Sequence, residues 1–355
     1  MITLGSLFDG IGVFPLAATR NGITPVWASE IEKAPVSITK RHFPGMAHLG
    51  DVTKLDGGKI EPVSVITFGS PCQNLSTIGW RQGLSGEQSG LFHHAIRIIK
   101  EMRCATDGVY PNIAVWENVM GAFSSNDRLD FRAVLQSFAD AEIPMPATGK
   151  WAYAGMVRGG TPDLAWRLMD AQYWGKPPPP QRRRRIFIVA DFTGQRAGEI
   201  LFKSRAVYPD IEAGTDSGRT AAPENRIFVD EARGPLPVVY PIQDRSLRGA
   251  AKSKDRARFI NSFGRPTDPF PTLLASGNGG IFSIWYGDDY ENGIIRFITP
   301  TEAERLMGLP DGYTAYGHNG KEIKDGLRCK ALGNAIALPC AEYIMAGIAE
   351  VLKNV

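Results

Sequence analysis

What most constrains this chain is an alternation, over its first half, of short apolar runs with amphipathic stretches. Thr3 to Phe8 precedes Val13 to Arg20, Pro25 to Ala28 precedes Glu32 to His42, and Val63 to Phe68 precedes Gly90 to Met102. Short continuous apolar runs suit strands buried on both faces, and the longer stretches with a helical period suit helices laid against them. Further strands are expected at Ile113 to Trp116 and Ile186 to Ala190, with a helix over Leu129 to Phe138 between them. The pattern predicts an α/β fold, a doubly wound, Rossmann-like mixed sheet whose ligands bind beyond the carboxyl ends of its strands. Functional residues are therefore sought just after each strand.

After Asp191 the pattern changes: Gly and Pro become frequent, charges scatter, and no clean period returns until about Arg265. We expect a large domain built from 1–190 plus 305–355 and a smaller, irregular one over 191–304. Ala331 through Val351 reads as a Gly-Asn turn followed by an apolar-faced helix that packs back on the first domain. No stretch offers eighteen uninterrupted apolar residues and no signal peptide is evident, so a cytoplasmic protein without a membrane partner is expected. Cys72, Cys104, Cys329 and Cys340 are scattered without Cys-x-x-Cys or zinc-finger spacing, which supports neither a disulfide framework nor a metal site. A net charge of +3 permits a nucleic-acid partner without arguing for one. Its distribution says more. Arg245, Arg248, Lys252, Lys254, Arg256, Arg258 and Arg265 stand against only Asp244 and Asp255 in one segment, either a solvated face or a phosphate contact.

The first strand runs into Phe8-Asp9-Gly10-Ile11-Gly12, and Glu30 ends the second strand. Glycines let the backbone turn tightly and approach a ligand, while a carboxylate at the next strand end accepts hydrogen bonds from ribose hydroxyls. Pro15 stands where the dinucleotide fingerprint has its third glycine, so a ligand with ribose but without phosphate fits better than a pyrophosphate. Asp51, before Val52, repeats the theme of a carboxylate at a strand end.

Val63 to Phe68 delivers Gly69-Ser70-Pro71-Cys72-Gln73 directly into a Gly- and Ser-rich loop, which presents a thiol rather than packing it. A thiolate adds to an electron-poor ring carbon where neighbouring groups help it ionise. The next strand ends in Glu117-Asn118-Val119, which places a carboxyl at the same sheet edge. Burial there would raise its pKa into the range useful to a general acid. Gln181-Arg182-Arg183-Arg184-Arg185 leads into the strand at Ile186. Strand alternation sends Arg183 and Arg185 to one face and Arg182 and Arg184 to the other, so one pair can face the site.

Taken in order, these motifs resemble the cytosine-5 DNA methyltransferase family over most of the chain. Phe8-Asp9-Gly10-Ile11-Gly12 resembles the family's cofactor loop, although Val13 stands where a third glycine is common. Pro71-Cys72-Gln73 resembles the nucleophile motif, Glu117-Asn118-Val119 the acid motif and Gln181-x-Arg183-x-Arg185 the arginine motif. Arg265-Pro266 with Thr272-Leu273 resembles the segment closing the variable region, and Gly333-Asn334-Ala335 the last motif. The resemblance implies S-adenosylmethionine as cofactor, with S-adenosylhomocysteine as product and no metal. Cys72, Glu117, Arg183 and Arg185 would be catalytic. Phe8, Gly10, Gly12, Glu30, Ile31, Asp51, Val52, Pro71, Leu91, Asn334 and Ala335 would line the cofactor pocket.

The resemblance further implies a target-recognition role for 191–304 and double-stranded DNA as partner, in a nucleoid-associated monomer. A cognate restriction endonuclease is a further partner it leaves open. Chemistry on a base requires rotating it out of the stack, and Gln73 to Gly90 suits a loop that closes over DNA. Gln73, Ser76, Ile78 and Arg81 are its candidate contacts, with Arg245, Arg256, Arg258 and Arg265 from the basic stretch. A tRNA cytosine methyltransferase and a catalytically silent DNA binder on the same scaffold are the alternatives. A nucleotide-dependent oxidoreductase would leave Cys72, Glu117 and the arginines unexplained. Trp151 to Trp174 has no account at this level.

Overall fold

A computed structural model describes residues 1–70, 90–203, 238–241, 269–275, 283–287 and 293–353. Its main sheet takes strands from β1 (Thr3–Leu7), β2 (Thr24–Ser29), β3 (Ala47–His48), β4 (Val65–Phe68), β5 (Ile113–Val119), β6 (Ala154–Val157), β7 (Asp163–Asp170) and β8 (Arg184–Asp191). Their order across the sheet is β3-β2-β1-β4-β5-β8-β7-β6. The first five run parallel, while β8 enters antiparallel against β5, and β7 and β6 follow antiparallel. The chain winds outward from β1 to β3, then restarts at β4 on the other side of β1. The switch point lies between β1 and β4, where the chain leaves the two paired strands for opposite faces of the sheet and a crevice opens between.

Alternation along the strands builds two cores, one on each face. Leu4, Val65, Val115, Phe187 and Val189 join one, and Leu7, Ile66, Phe68, Trp116 and Ile188 join the other. Helices α1 (Val13–Arg20) and α2 (Lys33–His42) follow β1 and β2, and α3 (Leu91–Ala105) and α4 (Leu129–Ala139) flank β5 in sequence. The short α5 (Ala197–Leu201) and α6 (Pro300–Leu306) precede α7 (Asp325–Asn334) and α8 (Leu338–Lys353). Val13, Phe14, Ala17 and Ala18 of α1 share the first core with Ala341, Ile344, Met345 and Ile348 of α8. Phe92, Ile96 and Ile99 of α3 share the second with Phe131, Val134 and Phe138 of α4. Among the described residues no single helix is long and apolar enough to cross a membrane.

Two strand glycines lie opposite tryptophans. In register, Gly5 faces Trp27 and Gly155 faces Trp166. A Cβ at either glycine would fall 2.2 Å from the indole ring. The missing side chain is thus what lets each ring lie across the neighbouring strand. The second pair explains the segment the sequence leaves unread: β6 and β7 form a hairpin that closes the outer edge of the second core. Trp151 and Trp166 stand edge-on to Phe131, and their indole N–H groups donate to the carbonyls of Arg128 and Ala152 at 3.0 and 2.9 Å. Each ring therefore buries apolar area without stranding its donor.

Sequence and structure differ at three element ends. β5 runs through Glu117 to Val119 and β8 begins at Arg184, because pairing between them continues to Val119 opposite Arg185. Gly333 and Asn334 close the last turn of α7 rather than forming a free turn. Between 238 and 297, β9 (Val238–Pro241), β10 (Ser283–Gly287) and β11 (Gly293–Phe297) pair antiparallel in the order β11-β10-β9.

Candidate active site

At the switch point, a cavity of about 600 Å³ is lined from the carboxyl ends of the strands. Phe8 and Gly10 come from the end of β1, Glu30 and Ile31 from β2, Asp51 and Val52 from beyond β3, and Gly69 and Ser70 from β4. Glu117, Asn118 and Val119 end β5, and Arg185 opens β8. Because β8 is antiparallel, its first residues arrive at the same rim as the last residues of its neighbours. Ala331, Gly333 and Asn334 add a wall from α7, and Leu273, Leu274 and Ala275 add another.

Glu30 organises the β1 and β2 ends. One carboxylate oxygen accepts from the Gly10 N–H at 2.9 Å, and the other from the Ile31 and Glu32 N–H groups at 2.7 and 2.9 Å. Phe8, Gly10 and Gly12 all have positive φ, at 53°, 58° and 77°, so the chain reverses into α1 within a few residues. Asp51 accepts from the backbone and hydroxyl of Thr53, and that backbone bond first of all holds its carboxyl below the usual range. Asp9 carries buried carboxyl oxygens, and burial pushes its pKa up to about 7 with the Glu30 charge adding to the rise. Ile31 is 72% exposed at the cavity and offers it an apolar surface.

Glu117 is buried beside Arg185, whose Nε lies 3.1 Å from its Oε1. Burial pushes the Glu117 carboxyl up, and the Arg185 and Arg183 charges pull it back. A carboxyl so balanced is suited to exchanging a proton or hydrogen bond with a ligand. Ser70 is held from the next strand: its hydroxyl accepts from the Trp116 indole at 3.2 Å and its carbonyl from the Asn118 amide at 3.2 Å. The root of the segment leading to Cys72 is therefore fixed on β5.

Of the residues expected at the pocket, Phe8, Gly10, Glu30, Ile31, Asp51, Val52, Leu91, Asn334, Glu117 and Arg185 line it. Three do not. Gly12 packs beneath α2, where a Cβ would lie 3.1 Å from both Thr39 and Phe43, so it serves close packing. Ala335 turns its carbonyl to Arg183. Arg183 has the strand parity of Arg185, yet the residue is 1% exposed and its guanidinium donates to the carbonyls of Leu273, Gly333 and Ala335. It stands behind the wall rather than in the cavity, because those carbonyls reach it first. Pro71, Cys72, Gln73, Ser76, Ile78, Arg81, Arg245, Arg256, Arg258 and Arg265 lie outside the described residues.

Gly69, Ser70 and Asn118 stood inside segments the sequence singled out but were not assigned to the pocket, and neither was the Leu273–Ala275 wall. Thr272-Leu273 was legible as a motif but not as part of the pocket. Gln181 explains the placement. Its side chain, fully buried, accepts from the Leu273 N–H at 3.0 Å and donates to the Leu306 carbonyl at 2.8 Å, which draws the returning chain onto the start of β8.

Comparison with known proteins gives this arrangement its class, the methyltransferases. The model of the C-5 cytosine-specific DNA methylase family matches residues 2–200, and the chain belongs to that family. Among relatives, a DNA N-6-adenine-methyltransferase of Escherichia phage P1 is 32% identical over 236 residues, covering 58% of this chain and 31% of that protein. Type II methyltransferase M.BsuFI of Bacillus subtilis is 25% identical over 98% of this chain and 73% of its own length. Type II methyltransferase M.MspI of Moraxella sp is 22% identical over 98% of this chain and 71% of its own. The fold is that of the Dnmt2 methyltransferase of S. pombe, with a TM-score of 0.63 at 16% identity over 100% of this chain and 99% of the other. It is also that of the Entamoeba histolytica methyltransferase EhMeth, with a TM-score of 0.60 at 14% identity over 99% of each.

Proposed function

We propose that this methyltransferase acts on carbon 5 of a cytosine turned out of double-stranded DNA, using S-adenosylmethionine and releasing S-adenosylhomocysteine. The observation that carries the reading is the buried Glu117–Arg185 pair sharing one cavity with the carboxylates Glu30 and Asp51. A cavity of about 600 Å³ is of ligand size. Its lining suits the cofactor: Glu30 to accept from ribose hydroxyls, the exposed Ile31 against the adenine, and acidic groups for a ligand that carries positive charge. When bound, the cofactor supplies a methyl group on a positively charged sulfur.

The chain's own residues do the rest. Glu117 hydrogen-bonds ring nitrogen 3 and the exocyclic amine, and its burial-raised pKa keeps a proton available for the ring. Arg185 steadies both the Glu117 carboxylate and the carbonyl oxygen of the base, in a site where burial strengthens each charge-assisted bond. Cys72, outside the described residues, is the nucleophile by its motif. Its sulfur bonds to carbon 6 while Glu117 protonates nitrogen 3, which leaves carbon 5 electron-rich for methylation. Loss of the carbon 5 proton to a base then forms the carbon 5–carbon 6 double bond, breaks the carbon–sulfur bond and releases the thiolate, and nitrogen 3 returns its proton to Glu117. Unstacking the base costs a few kcal/mol, which contacts from 191–304 and the segment after Cys72 are proposed to offset. The Type II names of the relatives favour a cognate endonuclease as a second partner.

Unmodified DNA incubated with S-adenosylmethionine and either wild-type protein or Cys72→Ala tests this directly. Nucleoside mass spectrometry distinguishes 5-methylcytosine from N6-methyladenine, and base-resolution sequencing gives the context. Methylcytosine in one short sequence, absent with the variant, supports the reading; methyladenine, or substantial turnover by Cys72→Ala, overturns it.

A further inference from the structure

We infer that Arg183 is a positioning residue that couples the wall at Leu273–Ala275 to the wall at Gly333–Ala335, so that filling the cavity from one side tightens it on the other. The inference rests on the methyltransferase reading above, with DNA and cofactor as the two ligands.

Two walls of the cavity come from distant parts of the chain and meet backbone to backbone. A Cβ at Gly333 would lie 2.4 Å from the Leu274 carbonyl carbon, so nothing but hydrogen separates them. Arg183 spans the joint from behind. Its Nη1 donates to the Leu273 carbonyl at 3.0 Å, and its Nη2 to the Gly333 carbonyl at 3.1 Å and to that of Ala335. Leu273 and Gly333 both line the cavity, and one planar group holds both carbonyls. A guanidinium has the fixed fork this requires, and an ammonium does not.

The backbone beneath is itself anchored, since the Arg183 N–H donates to Asp170 at 2.9 Å. Two residues on, along the same strand face, Arg185 holds Glu117. The acid, the recognition-side wall and the cofactor-side wall are thus referred to Arg183–Arg185, the short stretch where the chain enters β8. Burying an arginine whose acceptors are neutral carbonyls is costly, and its Nε is buried without a partner among the described residues. An apolar side chain would fill the volume more cheaply but would leave the two walls free to separate.

Coupling between two ligands is reciprocal and is measured as a ratio of affinities. Equilibrium dialysis of labelled S-adenosylhomocysteine, with and without sheared double-stranded genomic DNA, gives that ratio for wild type, Arg183→Lys and Arg183→Met. DNA is expected to tighten wild-type binding by at least about 5-fold, and either variant to bring the ratio near one while cofactor affinity without DNA changes less than the ratio does. A purely structural arginine would weaken both affinities and leave the ratio intact, and that result overturns the inference. Where the variants do not fold, hydrogen exchange in wild type decides: DNA alone should slow amide exchange at 331–336, and unchanged exchange there overturns the coupling. Failure of wild type to bind S-adenosylhomocysteine at all would instead overturn the methyltransferase reading.

Discussion

A Cβ placed on Gly69 would lie 2.9 Å from Oε2 of Glu117. The glycine just after β4 therefore makes room for the carboxyl near the end of β5, and Glu117 keeps its bond to Arg185 only while that room exists. In Gly69→Ala the carboxyl must swing away from the new methyl group. We predict a fall in kcat of about 10-fold or more, since misplacing a catalytic group by an ångström costs up to about 100-fold. Thermal stability should change far less than turnover. Turnover equal to wild type would show that Glu117 has other room to move.

Glu117→Gln keeps the shape and removes the proton. The rate of methyl transfer should fall by about 100-fold or more, the scale of a lost acid–base group. Cofactor affinity should stay within about 2-fold, since Glu30 and Asp51 are untouched. Isothermal titration with S-adenosylhomocysteine beside single-turnover kinetics separates the two effects; weakened cofactor binding with unchanged turnover would remove Glu117 from the chemistry.

Asp9 gives the fold a pH signature. Its carboxyl titrates near 7 in the folded chain against 3.8 ordinarily, so between those values the unfolded chain gives up the proton first. Stability linked to this group is intact below about pH 4 and declines as pH rises towards 7. Asp9→Asn cannot ionise and should melt higher than wild type at pH 8, with the difference shrinking towards pH 4. A melting difference that is flat across pH would place the Asp9 proton elsewhere.

Trp166→Ala should destabilise by about 3–5 kcal/mol, the range for large aromatic truncations in a core. It removes ring contacts with Phe131 and Trp151, and it leaves the notch at Gly155 empty. Denaturant unfolding with a shift in midpoint and an unchanged slope would confirm it. A loss under 1 kcal/mol would mean the hairpin recloses over the gap.

The parallel strands and the order of the motifs were legible because both are local: a strand shows its period, and a motif shows its residues at fixed spacing. Glu30, Asp51 and Glu117 could be placed at one rim because a doubly wound sheet brings every strand end there. Arg183 could not be separated from Arg185 in the same way. Strand parity sets the face of a side chain but not what it meets, and the partners of Arg183 lie 90, 150 and 152 residues away. Gly12 stands outside the lining for a related reason, since its neighbours Thr39 and Phe43 are set by packing. The β6–β7 hairpin escaped because a Gly beside exposed positions breaks the alternation that marks a strand. Only the register opposite Trp166 gives that glycine its purpose.

The cavity takes Phe8 and Gly10 from near the start of the chain and Ala331, Gly333 and Asn334 from near its end. Arg20 of α1 pairs with Glu342 of α8 at 2.6 Å, and the Tyr313 hydroxyl donates to the Ile11 carbonyl at 2.9 Å. On a ribosome working at roughly 5–20 residues per second, α1 waits roughly 15–60 s for its covering helix. For that interval Val13, Phe14, Ala17 and Ala18 have no lasting cover, and the nascent chain is a natural client for chaperones. The cavity wall from α7 is made only just before that helix, so a chain halted ahead of both carries the strand-end residues of the cavity without the wall that faces them.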